Sequence, residues 1–239
     1  MRLHDFRVLS FDCYGTLIDW ESGLFAGLGP LLARLPAPPE RDDVLAAFAR
    51  LESAQEAETP SLRYSELLGR VHRRLAAEWG IGPDEEAERR FGASVPDWPA
   101  FPDSPTALAY LKQHYQLVIL SNVDRGSFAA SNRRLGVSFD AIFTAEDIGS
   151  YKPDPANFRY LIEHLAERGV KKEDILHTAQ SLYHDHVPAQ RAGLATSWID
   201  RRHTAKGFGA TMKPPKGVRY DFRFPSLAAM AEAHKAEAG

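Results

Sequence analysis

Five short apolar segments constrain the fold of this 239-residue chain more than any other feature. They are residues 6–11, 116–120, 141–144, 174–179 and 194–199. Apolar runs of this length are typical of buried strands, and the last four are separated by single helical segments. Strand–helix–strand units of this kind form right-handed crossovers between parallel strands. We therefore predict an α/β fold, a doubly wound parallel sheet of Rossmann-like type.

Helices are predicted between these strands and at the end of the chain. Proline after Ser104 and after Asp154 is typical of a first helical turn, because proline is tolerated where no backbone donor is needed. We predict helices from Ser104 to about Tyr115, up to about Leu135, from Asp154, between the last two strands, and from Ser226 onward.

A long helical block interrupts the alternation after the first strand. From residue 20 to residue 79 apolar side chains recur at helical spacing, as at Leu45, Phe48 and Leu51. Proline-containing stretches at residues 35–39 and 59–61 divide the block, and a short charged helix follows at residues 84–91. We predict that residues 20–96 form an inserted helical cap on a core of residues 1–19 and 97–239.

Charge and composition exclude several classes of partner. The formal net charge is −3 and no basic cluster occurs, so we expect no nucleic-acid partner. No apolar stretch approaches the roughly 18 residues of a membrane span, so we expect no membrane partner. Asp5 precedes any apolar run, which excludes a secretory signal and favours a cytoplasmic protein. The single cysteine, Cys13, excludes an internal disulfide and a cysteine-based zinc site.

Residues able to carry chemistry follow the predicted strands, at the edge where open parallel sheets place their ligands. Asp12 follows the first strand, Ser121 and Asn122 end the second, and Lys152 follows the third. A buried carboxylate such as Asp12 requires a cation or N–H donors, and Lys152 is the expected counter-charge. At ~4 Å such a pair attracts by roughly 4 kcal/mol before desolvation is subtracted. Taken singly, each residue also fits a turn or a surface charge.

These segments resemble the four motifs of the haloacid dehalogenase superfamily. The motifs are Phe11-Asp-Cys-Tyr-Gly-Thr-Leu-Ile-Asp19, Leu120-Ser-Asn122, Tyr151-Lys-Pro-Asp-Pro155 and Asp185. The resemblance covers nearly the whole chain, including a cap between the first and second motifs. It implies that Asp12 is a nucleophile that forms a covalent ester with the substrate.

Two positions distinguish the branches of this superfamily. Its phosphatases carry an acid two residues after the nucleophile and bind Mg²⁺ through an acidic fourth motif. Tyr14 and Gln180 stand at those positions here, and Mg²⁺ prefers carboxylate ligands. The chain is more similar to the (S)-2-haloacid dehalogenases. This implies hydrolysis of short 2-haloalkanoic acids to 2-hydroxy acids, with inversion at C2 and without a metal or other cofactor. A phosphatase with an altered metal site and a non-catalytic ligand-binding homologue are the alternatives.

The resemblance also implies roles for individual residues. The expected catalytic residues are Asp12, Thr16, Ser121, Lys152 and Asp185. The expected substrate-binding residues are Cys13, Tyr14, Arg50, Asn122, Ser181 and His184. A small 2-halocarboxylate is the expected partner, and the resemblance implies a homodimer.

The arginine that cradles the halide in the family has no clear equivalent in this cap. Arg50 is the nearest candidate and Arg63 is another, although each also fits a solvated arginine on a helix face. His184 and His186 flank Asp185 but have no acidic or cysteine partners at metal-ligand spacing, so we predict no metal there.

Overall fold

Six parallel strands form one sheet in a computed structural model that describes residues 1–237. The strand order is β3-β2-β1-β4-β5-β6, and every neighbouring pair is parallel. The strands are β1 (Val8–Phe11), β2 (Gln116–Ser121), β3 (Ala141–Thr144), β4 (Ile175–Ala179), β5 (Ala195–Ile199) and β6 (Phe222–Phe224). The predicted doubly wound α/β sheet is confirmed, and β6 is an edge strand that the apolar pattern did not indicate.

Ten α-helices accompany the sheet in the described part of the chain. They are α1 (Trp20–Leu32), α2 (Arg41–Glu58), α3 (Tyr64–Glu78), α4 (Glu85–Gly92), α5 (Ser104–Leu111), α6 (Arg125–Leu135), α7 (Ala145–Ile148), α8 (Pro155–Ala166), α9 (Val187–Arg191) and α10 (Leu227–Glu237). Helix α8 begins as predicted: Asp154 accepts a hydrogen bond from the N–H of Ala156 at 2.8 Å, and proline occupies its first position. Helix α5 ends at Leu111, short of the predicted Tyr115.

Both faces of the sheet are buried. Along β2, Leu117 and Ile119 belong to one apolar cluster while Val118 and Leu120 belong to the other. This alternation follows from the two-residue period of a strand. A continuous apolar run is therefore the expected sequence of a strand covered on two sides.

Helices α1–α4 lie between β1 and β2 and are connected to the core by two antiparallel segments. The N–H of Asp19 donates to Pro99 at 2.8 Å, and the N–H of Phe101 donates to Leu17 at 3.0 Å. Ile18 and Ala100 form an antiparallel bridge between them. The division into a cap of residues 20–96 and a core stays a prediction, and residues 238 and 239 of that core lie outside the described residues.

The topology fixes where a ligand site can form. Strands β2 and β3 lie on one side of β1, and β4, β5 and β6 lie on the other. Open α/β sheets bind ligands at the carboxyl ends of strands where the order reverses, which here means the crevice between β1 and β4. Within residues 1–237 no helix is both long enough and apolar enough to span a bilayer.

Candidate active site

Asp12 follows β1 at the reversal point, and both of its carboxylate oxygens accept hydrogen bonds. The hydroxyl of Thr16 donates to Oδ2 at 2.8 Å, and Nζ of Lys152 donates to Oδ1 at 2.9 Å. Burial raises the pKa of Asp12, and the positive charge of Lys152 opposes that rise. The two donors hold the carboxylate in one orientation at the edge of the pocket.

The turn after β1 depends on Gly15. Its φ of +89° lies in the region that only glycine adopts readily, and a Cβ there would approach Nε1 of Trp20 to 2.9 Å. The turn places Thr16 beside Asp12, and Oγ1 of Thr16 accepts a hydrogen bond from the N–H of Gln180 at 2.9 Å. The loops after β1 and β4 are thereby joined beside Asp12.

Lys152 is buried and joins two carboxylates. Its Nζ donates to Asp12 at 2.9 Å, to Oδ1 of Asp185 at 2.7 Å and to the carbonyl of Leu120 at 2.9 Å, which uses all three ammonium hydrogens. Burial alone would lower the pKa of Lys152, but the charges of Asp12 and Asp185 raise it above its ordinary value. The amide of Asn122 fixes the backbone of Lys152 by accepting its N–H at 2.6 Å and donating to its carbonyl at 2.9 Å.

Asp185 lies on a single π-helical turn, Leu182–His186, directly after β4. Such turns occur frequently at functional sites. Oδ1 of Asp185 also contacts Nε2 of His177 at 2.9 Å, and Nδ1 of His177 contacts Oγ of Ser10 at 3.0 Å. Burial opposes ionisation, yet Lys152 and His177 hold the pKa of Asp185 well below its usual range. The motifs of the sequence did not point to His177, although a histidine inside an apolar strand is a usable signal.

Helices α1, α2 and α3 contribute Trp20, Glu52, Glu56 and Tyr64 to a pocket above Asp12 with a cavity volume of about 40 Å³. Oε1 of Glu52 accepts the hydroxyl of Tyr64 at 2.6 Å, and Oε1 of Glu56 accepts from Nδ2 of Asn122 at 3.1 Å. Burial raises the pKa of Glu52 to about 8 and that of Glu56 well above its ordinary value. The sequence did not predict either glutamate. Their signal was their place one helical turn apart on the face that carries Phe48.

Tyr14, Ser181 and His184 line the pocket, as Asn122 does. The phenol of Tyr14 is hydrogen-bonded to Oγ of Ser131 at 2.8 Å. Ser181 caps the π-helical turn by accepting the N–H of His184 at 2.9 Å, and its hydroxyl also contacts Nδ1 of that histidine. Burial lowers the pKa of His184 to about 4, so the ring is neutral at pH 7. Its Nε2 has no hydrogen-bond partner within residues 1–237.

Other residues predicted for the site do not reach the pocket. Arg50 is 54% exposed and pairs with Glu78, and Arg63 is 65% exposed and pairs with Glu146. Arg50 is therefore a solvated arginine in this geometry, and its predicted role in substrate binding has no contact to support it here. Cys13 points into the apolar core, because successive side chains alternate and Asp12 points to the pocket.

Ser121 also lies off the pocket wall. It ends β2 as a buried residue, and its hydroxyl has no hydrogen-bond partner in the part of the chain that the structure describes. Its predicted catalytic role has no contact to support it here.

Replacement of Arg50 tests whether this arginine takes part in the reaction. Because an exposed ion pair contributes little, Arg50→Ala should lower the free energy of unfolding by less than about 1 kcal/mol. It should leave kcat/KM unchanged, since the guanidinium lies outside the pocket. Urea unfolding and steady-state kinetics measure the two effects. A tenfold fall in kcat/KM with unchanged stability would return this arginine to the site.

The donor set near Asp12 does not fit a divalent cation. Asp12 and Asp185 are joined through the ammonium of Lys152, which takes the position between the two carboxylates. Gln180, at the place where the phosphatases carry an acid of the fourth motif, has only a neutral amide, whose Oε1 lies 3.4 Å from the hydroxyl of Thr211. Among residues 1–237 no group of three histidine, cysteine, aspartate or glutamate side chains has the geometry of a metal site.

Several solved structures share this fold. An L-2-haloacid dehalogenase from Xanthobacter autotrophicus with chloropropionic acid covalently bound is 19% identical, with 96% of this chain and 98% of that chain covered and a TM-score of 0.76. The defluorinating L-2-haloacid dehalogenase Rha0230 is 20% identical, with 98% and 99% covered and a TM-score of 0.78. The putative HAD-hydrolase YfnB from Bacillus subtilis, bound to magnesium, is 21% identical, with 98% and 100% covered and a TM-score of 0.76.

At these identities the structures establish the fold and not the substrate. A comparison with curated protein sequences gave no match. The family model of the haloacid dehalogenase-like hydrolases matches residues 6–178, which span β1, the whole helical insertion and most of β4. With four motifs in order around Asp12 and a family match over most of its length, the chain belongs to the haloacid dehalogenase-like hydrolase family.

Proposed function

We propose that the protein hydrolyses the carbon–halogen bond of short 2-haloalkanoic acids through an ester on Asp12, without a metal and with inversion at C2. The environment of Asp12 supports this proposal most directly. Its carboxylate is oriented by Thr16 and Lys152, and the residue two positions on is Tyr14, whose hydroxyl is engaged by Ser131. The site thus has a fixed nucleophile and no acid at the position where a phosphatase needs one.

In the first step an oxygen of Asp12 attacks C2 from the side opposite the halogen. The new C–O bond forms as the carbon–halogen bond breaks, and the halide departs with the bonding electron pair. No proton is consumed, because the halide leaves as an anion. Lys152 and Thr16 restrict the carboxylate to one direction of attack, which lowers the entropic part of the barrier.

In the second step water attacks the Asp12 carbonyl carbon and releases the 2-hydroxy acid and one proton. C2 is not touched again, so a single inversion results. Asp185 holds Lys152 in place through Oδ1. As a residue of the pocket wall beside Asp12, it is also the group that positions the attacking water. Nε2 of His184, which has no hydrogen-bond partner within residues 1–237, is available to the substrate from the pocket wall.

A halide-release screen tests the proposal. We expect halide from chloro- and bromoacetate and from the L enantiomer of 2-chloropropionate, with the D hydroxy acid as product. Full activity should survive exhaustive chelation, and p-nitrophenyl phosphate with millimolar Mg²⁺ should give negligible phosphate. Mg²⁺-dependent phosphate release would assign the protein to the phosphatase branch. Retained configuration would exclude a single displacement at C2.

A further inference from the structure

Within residues 1–237 the two glutamates of α2 that line the pocket form no salt bridge. Glu52 and Glu56 are 4% and 6% exposed. Lys152 is the one lysine or arginine that lines the pocket within residues 1–237, and its three hydrogens are already donated elsewhere. A buried carboxylate without a cation takes up a proton and becomes neutral rather than remain charged in a poorly solvated site.

The hydrogen bonds of the pair fit neutral carboxylic acids. Tyr64 donates to Oε1 of Glu52, and Asn122 donates to Oε1 of Glu56, so each Oε1 behaves as a carbonyl oxygen. The second oxygen of each glutamate makes no hydrogen bond to another residue of the described chain. A proton on each Oε2 would therefore be available to the contents of the pocket.

We propose that Glu52 and Glu56 act as neutral carboxylic acids whose Oε2 hydrogens donate hydrogen bonds to the departing halide. The inference rests on the proposed dehalogenation and adds the group that receives its leaving anion. The glutamates keep their protons throughout, since the halide carries away only the electron pair of the broken bond. Two acids of the cap would then stabilise the halide, a role for which Arg50 was the nearest candidate in the sequence.

The neighbourhood of Asn122 favours the halide over the substrate carboxylate as the acceptor. Asn122 was predicted to bind the substrate, but both hydrogens of its Nδ2 are donated, one to Glu56 and one to the carbonyl of Lys152. Glu56 is thus the group beside Asn122 with a hydrogen to offer. Nε2 of His184, which has no hydrogen-bond partner within residues 1–237, is left to bind the substrate carboxylate.

The pH range of this donation follows from the groups around the pair. These are Asp12 after β1, Tyr64 on α3, Tyr151 and Lys152 before α8, and His184 and Asp185 on the π-helical turn. The ring of His184 is neutral above pH 4. Glu52, with a pKa raised to about 8 by burial, is the group that loses its proton on the alkaline side. Halide release should therefore decline as the pH rises through about 8.

Amide substitution separates neutral from ionised glutamate, because glutamine keeps a hydrogen-bond donor but cannot titrate. The variant Glu52→Gln/Glu56→Gln should keep kcat for halide release within about threefold at pH 7 and should abolish the alkaline decline. Glu52→Ala/Glu56→Ala should lower kcat by about 10- to 100-fold, the value of a hydrogen bond to an anion. Glu58→Gln, on the exposed side of the same helix, is the matched control and should change neither quantity.

A loss of more than 100-fold in the amide variant, with activity rising toward alkaline pH, would overturn the inference. That result would mean that the pair works as carboxylates. Circular dichroism and urea unfolding identify a variant that fails to fold, and the amide pair preserves the volume of the pocket.

Anion binding tests the pair without turnover. Chloride-35 line broadening should show chloride bound at pH 7 and released above about pH 8 in the unmodified protein, but not in the amide variant. Acetate binding, measured by calorimetry, should lack this pH dependence. If acetate binding, and not chloride binding, weakened above about pH 8, the pair would bind the substrate carboxylate and the halide assignment would be overturned. Absence of halide release with pH-dependent chloride binding would refute the proposed function while leaving the anion site intact.

Discussion

Asp12→Asn should abolish turnover while the protein stays folded. The amide cannot form the ester, and removal of a covalent nucleophile lowers kcat by at least about 10⁴-fold. The fold should tolerate the change, because an amide of the same shape still fills the position beside Thr16 and Lys152 keeps its bond to Asp185. Thermal unfolding and halide release measure the two outcomes. Asp97→Asn, an exposed aspartate in the segment that returns to the core, is the control.

Isotope labelling distinguishes the covalent route from direct attack by water. In a single turnover of the unmodified enzyme in ¹⁸O-water, the hydroxy acid should contain unlabelled oxygen taken from Asp12. The label should enter the Asp12 carboxylate and appear in product only in later turnovers. Labelled product in the first turnover would show that water attacks C2 directly, and Asp12 would then be a base.

The core of the fold was accessible from sequence because its strands are buried on both faces. Such strands read as uninterrupted apolar runs, and β3 was predicted at its observed bounds of Ala141–Thr144. Proline in the first turn likewise predicted where α5 and α8 begin, because this signal depends only on neighbouring residues. Strand β6, with the sequence Phe-Arg-Phe, is three residues long and half-exposed. A pattern that short has no period to detect, and only its pairing with β5 makes it a strand.

The two halves of the site differ in how much the sequence predicts. Asp12, Lys152 and Asp185 each follow a strand, and the topology of a parallel sheet brings the ends of its strands together. Nζ of Lys152 lies 2.9 Å from Oδ1 of Asp12 and 2.7 Å from Oδ1 of Asp185. Their contacts therefore follow from the fold alone.

The cap residues could not be placed in this way. Which face of α2 meets the core depends on the packing of α1–α4, and no strand order fixes it. The family pattern pointed to Arg50, whereas the pocket receives Glu52 and Glu56 from the opposite side of the helix. The usable signal was physical: acids at the spacing of Leu45 and Phe48 occupy the buried face.

Lys152→Met should be the most destabilising substitution in the site. Methionine keeps the length of the side chain but leaves Asp12 and Asp185 as buried carboxylates with no cation between them. Loss of one partner of a buried ion pair costs about 3–5 kcal/mol in the free energy of unfolding. Lys112→Met is the matched control, because Lys112 pairs with Asp140 near the surface and should cost less than about 1 kcal/mol. Urea unfolding at pH 7.5 compares the two.

The pH dependence of stability distinguishes a charge effect from a packing effect. In the unmodified protein the pKa of Asp185 is depressed by Lys152 and His177, so its contribution to stability is complete above pH 4 and is lost as the pH falls further. Without Lys152 the buried carboxyl groups gain protons more readily in the folded state, so stability should rise as the pH falls from 7.5 toward 5. Lys152→Met/Asp185→Asn should recover part of the loss at pH 7.5, because one of the unpaired charges is gone. Equal losses at both pH values, with no recovery in the double variant, would show that Lys152 stabilises the core by its volume and not by its charge.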